Sequence, residues 1–267
     1  MDINNNLDSI KSKLIYNLGN NLITIGSLNG DTDILNRYEN FFVAEVINEI
    51  SHLPYDTVLI PLLKKLSIDT KISDPEKVHH MRAWDIENSY LNENRVSHIN
   101  GLSVQPDTSI ILDDYIVFFE FKKPHTAPSQ NKMTIKELGR QILLAIKLSN
   151  DYEIDNYKII IINNSAPKVH IPNRGKVDPN EIVLEYFEKK EDKWFEHKSI
   201  KDLIKNMNKY NLNDKFKVLT WHEFINKAIL TIEKADEMYT DKGIKRLLNN
   251  SRESLSWYLE RREDKLI

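Results

Sequence analysis

Pro106-Asp107-Thr108-Ser109-Ile110-Ile111-Leu112-Asp113-Asp114-Tyr115-Ile116-Val117-Phe118-Phe119-Glu120-Phe121-Lys122-Lys123 sets two runs of β-branched and aromatic residues on either side of a polar Asp113-Asp114 pair. Such runs favour strands, and the acidic dipeptide favours a tight turn between them. A turn centred on that dipeptide puts Leu112 opposite Tyr115 and Asp107 opposite Glu120. Directly opposed residues share one face of a sheet, with Cβ atoms about 5 Å apart. Alternation along the strand then places Lys122 on the face of Glu120, and Phe119 and Phe121 on the other. Two carboxylates and an ammonium are thus expected at one spot.

A solvated hairpin face is the plain alternative for these charges. Glu120 speaks against it, because it interrupts an apolar run, Tyr115 to Phe121, of the kind buried on both faces. A carboxylate there is costly unless paired or bound to a metal. Mg²⁺ is satisfied by about two carboxylates with water and phosphate oxygens, at roughly 2.1 Å. A neighbouring lysine can orient a water or offset charge growing on a phosphate. The chemistry suggested is metal-assisted hydrolysis of a phosphodiester.

Pro106-Asp107, twelve intervening residues and then Glu120-Phe121-Lys122 resemble the motif of the PD-(D/E)XK nuclease superfamily, which has the restriction-endonuclease-like fold. The resemblance implies Asp107 and Glu120 as metal ligands, the Phe121 carbonyl as a further ligand, Lys122 as the catalytic lysine, and Mg²⁺, with Mn²⁺ as a substitute, as the cofactor. Such a family often draws an acidic residue from its first core helix, which points to Glu39, with Glu45 second. It also often has a glutamine on the helix after the motif strand, which points to Gln141. Without the resemblance, Glu39 reads as a helix-start acid favoured by the macrodipole, Glu45 as an exposed helix residue and Gln141 as a satisfied boundary glutamine.

The chain around the hairpin reads as an α/β protein. Val43, Val46, Ile47 and Ile50 form a helical stripe within 37–50, and a second helix is expected over Asp56 to Lys65. Asp69 to Asn100 looks irregular; its His79-His80-Met81-Arg82, Trp84 and His98 suit either a cap over the sheet edge or a groove for nucleic acid. Thr134 with Glu137 three residues on is a capping-box signature. The helix it opens runs to about Ser149, burying Leu138, Ile142, Ala145 and Leu148, with Gln141 facing the sheet. Tyr157 to Asn163 is a buried strand, so strand, helix and strand make a βαβ unit with a parallel pair. Antiparallel hairpin, crossover helix and parallel strand, flanked by further helices, form the mixed central sheet of the resembled fold.

Further on, Lys168 to Pro179 reads as a loop whose Lys168, His170, Arg174 and Lys176 could meet phosphates. Ile182 to Phe187 and Lys193 to His197 read as a second hairpin around Glu191-Asp192. A helix over Ile200 to Tyr210, a strand over Phe216 to Thr220, a helix over Trp221 to Ile232 and a charged helix over Glu233 to Glu263 complete the pattern. The organisation expected is a polar extension at 1–36, a nuclease-like domain at 37–232 and a charged terminal helix at 233–267, the last suited to self-association as a homodimer.

Composition narrows the function further. Hydrophobic residues make up 40% and charged residues 29% of the 267 residues, the profile of a globular protein. A net charge of −3 lacks the overall basic signature of a general nucleic-acid binder, although a nuclease needs only a local basic surface. The absence of cysteine excludes disulfides, thiolate metal sites and a cysteine nucleophile. Seven glycines and no Gly-rich loop disfavour dinucleotide and P-loop folds. No secretory signal or membrane-length apolar run is visible, so a cytoplasmic location is expected. The function expected is a Mg²⁺-dependent endonuclease, acting on DNA rather than RNA, in restriction, phage defence or repair. The alternatives are a catalytically silent nuclease-fold subunit that binds nucleic acid or assembles with it, and an RNA-cleaving nuclease.

Overall fold

The structure is a computed structural model, and it describes residues 46–47, 49–50, 53–70, 79–83, 98–99, 102–104, 106–122, 133–205 and 212–263. The predicted site residue Glu39 and its alternate Glu45 lie outside them, as does Trp84.

At the centre is a five-stranded mixed sheet built from β1 (His79–Ala83), β4 (Thr108–Ile111), β5 (Tyr115–Phe121), β6 (Asn156–Ile162) and β9 (Phe216–Leu219), in that spatial order. β1 runs antiparallel to β4 and β4 antiparallel to β5, whereas β6 and β9 lie parallel to β5. The hairpin register is the expected one, with Ile111 opposite Ile116 and Thr108 opposite Phe119. Leu112 N–H closes the turn onto the Tyr115 carbonyl at 2.8 Å. Helix α2 (Ile135–Tyr152) connects β5 to its parallel neighbour β6. Two small hairpins, β2 (His98–Ile99) with β3 (Leu102–Ser103) and β7 (Val169–Ile171) with β8 (Gly175–Val177), stand apart from the sheet.

Alternation along β5 and β6 feeds two cores, one on each face. On one side Val117, Phe119, Phe121, Ile160 and Ile162 pack with Val46, Ile47 and Ile50, with α1 (Ile60–Lys65), and with α5 (Trp221–Met238) and α6 (Lys242–Glu263). On the other, Ile116, Phe118, Ile159 and Ile161 meet α2, α3 (Pro179–Lys189) and the start of α4 (Lys198–Lys205). β5 and β6 are therefore covered on both faces, as their nearly continuous apolar runs require.

Local chemistry sets several boundaries. The capping box at Thr134 and Glu137 opens α2, and a second one at Thr220 and Glu223 opens α5. Before α1 the chain makes a π-helical turn, Tyr55–Leu59, where the sequence suggests one continuous helix from Asp56. Pro61 has no N–H to give the Thr57 carbonyl, so the regular ladder cannot pass that point unbroken.

Other expectations need correction. The stretch Asp69 to Asn100 is not wholly irregular, because His79–Ala83 forms edge strand β1, with an irregular register between His79 and Arg82. Poor in β-branched residues, it gives a weak strand signal. No second hairpin surrounds Glu191-Asp192. Ile182 to Phe187 belongs to α3, which Asp178 caps and Pro179 begins. Ile182, Val183, Tyr186 and Phe187 are buried, a helical stripe that the β-branched and aromatic content of the segment disguised. Asp192 then caps a short 3₁₀ turn, Lys193–Glu196. The loop after Pro167 contains β7 and β8, and its Arg174 is engaged by Glu185 rather than presented alone. Helix α5 continues without a break past Ile232 to Met238. α6 buries Leu248, Leu255 and Tyr258 against the core, so the charged terminal helix is amphipathic.

Asp192 is the polar joint between α2 and α3. Arg140 grips it with two hydrogen bonds, of 2.8 and 3.0 Å, and lies over the Trp194 ring. The Tyr186 hydroxyl donates to the same carboxylate at 3.1 Å. Burial raises the Asp192 carboxyl, but the guanidinium and the other donors outweigh it and hold the group below its ordinary value. Gly139 lets the two helices approach, since a Cβ there would stand 2.1 Å from the Tyr186 ring. An exposed helix would gain up to about 1 kcal/mol from Gly→Ala. Here the direction reverses: Gly139→Ala should lose about 1–3 kcal/mol, measured as a lower denaturant midpoint.

Candidate active site

Three residues at the end of β5 and two on the first turns of α2 form the site. Glu120 and Lys122 leave β5 on the α2 side, because Phe119 and Phe121 are drawn into the opposite core. There Phe121 stacks on Trp221 with ring centroids 5.1 Å apart, and the Trp221 indole N–H donates to the Lys122 carbonyl at 2.7 Å. Glu137 and Gln141, four residues apart, share the face of α2 that looks back at the strand.

Glu120 is 5% exposed, and both of its carboxylate oxygens are engaged. Oε1 accepts from Lys122 Nζ at 2.7 Å, and Oε2 from Gln141 Nε2 at 2.7 Å. Lys122 Nζ also donates to Glu137 Oε1 at 3.0 Å. Glu137 Oε2 accepts from Thr134 N–H at 3.2 Å, so one side chain closes the helix cap and holds the lysine. Gln141 is 1% exposed, and its Oε1 is buried without a hydrogen-bond partner. A water or an ion is one partner that would satisfy an acceptor left so.

Asp107 sits just before β4. Since Leu112 and Tyr115 are a hydrogen-bonded pair, hydrogen-bonded rungs follow at every second position, and the rung after Thr108 and Phe119 falls at Phe121. There the Asp107 carboxylate accepts the Phe121 N–H at 2.7 Å. Asp107 thus ends the ladder and is tied to the backbone between Glu120 and Lys122.

The charge balance is uneven. Burial pulls the Lys122 ammonium down, but the Glu120 and Glu137 carboxylates overcome it and hold the group above its ordinary value. Burial pushes Glu120 up, offset in part by Lys122 and by the Gln141 hydrogen bond. Lys122 is therefore a firmly protonated cation between two carboxylates. In that state it donates hydrogen bonds and offsets negative charge; it does not take up protons.

Of the predicted residues, Glu120, Lys122 and Gln141 come together directly, and Asp107 and Phe121 join them through the backbone. Glu137 was legible as a capping residue only. Its second contact was hinted at solely by its spacing of four residues from Gln141. Among the described residues no group of three or more His, Asp or Glu side chains is placed to hold a metal. The donors at hand for a divalent ion are the Asp107 and Glu120 carboxylates, the Phe121 carbonyl and the orphan Gln141 Oε1. That set fits a hard cation that keeps several waters, as Mg²⁺ does. No protein-family model, curated protein or solved structure matches the chain.

Lys122→Met leaves Glu120 buried without its cation, and the expected loss is about 3 kcal/mol. Glu120→Gln combined with Lys122→Met should recover much of it in a double-mutant cycle of unfolding free energies. The pH dependence has a definite sign. A lysine raised in the folded state contributes its full stability below its unfolded value, about 10.4, and loses it as pH rises beyond that. The stability difference between wild type and the Glu120→Gln, Lys122→Met double variant should therefore be constant from neutrality to about pH 10 and shift against wild type above it, as read from denaturant midpoints in alkaline buffers.

Proposed function

We propose that the chain is a metal-dependent endonuclease that hydrolyses phosphodiester bonds in DNA, with Asp107, Glu120, the Phe121 carbonyl and Gln141 around the metal and Lys122 beside it. The observation that carries the reading is the buried Glu120 carboxylate, held between Lys122 and a glutamine whose own oxygen lacks a partner. The resemblance to the PD-(D/E)XK nucleases supports it, because hairpin, crossover helix and parallel strand follow the motif in that family's order, the core arrangement of its restriction-endonuclease-like fold. A restriction, phage-defence or repair setting belongs to the same reading.

Bound Mg²⁺ or Mn²⁺ would supply the polarisation of a phosphate oxygen and a water of lowered pKa. The protein's residues do the remainder. Glu120 and Asp107 offer negative charge at a position where burial strengthens its hold on a cation. Gln141 Oε1 offers an acceptor that orients a water. Lys122, kept protonated, donates a hydrogen bond to the reacting phosphate and offsets charge as it develops there. Glu137 positions Lys122 through the capped start of α2. Trp221, by fixing the Lys122 carbonyl, keeps the strand end in place.

A second reading has an observation of its own. The Lys122 ion pairs with Glu120 and Glu137 balance charge without any metal, which suits a silent nuclease-fold subunit that binds nucleic acid. Supercoiled plasmid incubated with and without Mg²⁺ or Mn²⁺ decides between them. Metal-dependent nicking is expected, with Glu120→Ala and Lys122→Ala each lowering the rate by at least about 100-fold. Nicking that survives both substitutions refutes the site. Retained binding with no cleavage of DNA or RNA under either metal makes the silent reading the correct one.

A further inference from the structure

Six lysines crowd one edge of the sheet, far along the chain from the motif. β9 is the edge strand opposite β1; it carries Lys217 and follows directly on Lys215. Lys158 comes from β6, Lys65 from the end of α1, and Lys227 and Lys234 from α5. Lys217 Nζ donates to Ser67 Oγ at 2.6 Å, and Lys65 Nζ reaches the Lys227 carbonyl at 3.4 Å. Lys215 lies over the Tyr157 ring, 4.4 Å from its centroid. Lys158 is buried, and its nearest carboxylate, Asp214, stands 3.5 Å away and is itself 85% exposed. Among the described residues, Asp214, Glu223 and Glu233 oppose the charge of Lys65, Lys215 and Lys217.

The lysines act on one another. Burial, then Lys158 and Lys227, pull Lys217 below its ordinary value; burial and Lys158 do the same to Lys215. Burial, Lys234 and Lys227 lower Lys65. Charge on an edge strand guards against edge-to-edge pairing, and Lys217 alone would serve that end. It does not explain why lysines from α1, β6 and α5 converge on the same place in a chain of net charge −3. Partly desolvated like charges oppose folding, so their convergence points to something outside the chain that neutralises them.

We propose that Lys65, Lys158, Lys215, Lys217, Lys227 and Lys234 form a track for the phosphodiester backbone of a nucleic acid, an inference that rests on the phosphodiester reading of the Glu120 site and names where its substrate is gripped. All but Lys234 are buried or half-buried, so packing against the protein limits how far the ammonium groups can spread apart. The phosphodiester reading of the Glu120 site favours a nucleic acid over an anionic bilayer as the polyanion. Among the described residues no base-reading constellation accompanies the lysines, and phosphate contacts of this kind grip without regard to sequence. It connects to the catalytic end of the sheet through β9 itself, which runs directly into Trp221 and so to the Lys122 carbonyl.

Binding of a fluorescein-labelled 20-base-pair duplex, followed by anisotropy in EDTA over a range of salt, tests the track without any cleavage. The variant is Lys65→Gln, Lys217→Gln and Lys227→Gln together; the control is Lys189→Gln, Lys201→Gln and Lys242→Gln, which removes the same charge elsewhere. The track variant should bind at least 10-fold more weakly at low salt, with the slope of log K against log salt reduced by about 3. Its denaturant midpoint should be equal to or above that of wild type, which a purely structural role for these lysines does not allow. The control should bind as wild type does. Equal weakening in track variant and control, an unchanged slope in a folded track variant, or wild type that binds vesicles of anionic lipid and no duplex each overturns the proposal. Lysine-dependent binding without metal-dependent nicking leaves the track standing and removes the nuclease; nicking that is indifferent to the track variant does the reverse.

Discussion

A carboxylate placed in the middle of a sheet must be satisfied from within, and Glu120 imposes that requirement on everything around it. With 5% of its surface exposed, it needs a cation and a donor at short range. Lys122 meets the first need from the same strand two residues on. Gln141 meets the second from α2. That demand brings the start of α2 against the end of β5, and the capping box at Thr134 and Glu137 makes the helix rigid where contact occurs. The remaining face of β5 is held by aromatic packing among Phe119, Phe121, Trp221 and Phe224, so the strand cannot rotate to release its charges.

The same geometry explains how a stabilised core can hold reactive groups. Lys122 is shared by two carboxylates, and its proton is retained at all ordinary pH. A cation of this kind is useful for donating to a phosphate and for offsetting charge. It is of no use as a base. Gln141 spends its amide nitrogen on Glu120, and its oxygen is left without a partner beside the cluster. Asp107, by contrast, is spent on the backbone of Phe121, where it fixes the separation of Glu120 and Lys122 as much as it supplies charge. The carboxylates and the lysine hold the structure together at this point, and under the proposed function they also do the chemistry, so substitutions at them are read for both stability and activity.

Much of the hairpin was legible because its signals are local. The Asp113-Asp114 turn, the alternation in β5, the Thr134 cap and the Ile159 to Ile162 run each depend on residues within a few positions of one another. For that reason the register, the parallel pairing of β6 and the inward face of Gln141 follow from spacing. The reading of Ile182 to Phe187 as a strand failed because valine, isoleucine, tyrosine and phenylalanine favour strands in isolation, while Asp178 and Pro179 start a helix that buries them on one side. β1 escaped notice for the opposite reason: a weak strand former is recruited as an edge by the unpaired groups of β4.

The sequence by itself determined the hairpin, the crossover helix and the residues Asp107, Glu120, Lys122 and Gln141 as a group, because period and turn chemistry decide which side chains share a face. Only the tertiary structure decided that Glu137 holds Lys122 while it closes its cap, that Trp221 locks the strand end, that Gly139 admits the Tyr186 ring, and that lysines from α1, β6, β9 and α5 gather at one edge. These contacts join residues from separate elements across the fold. No periodicity encodes them, since they follow from how finished helices and strands pack to bury two apolar faces.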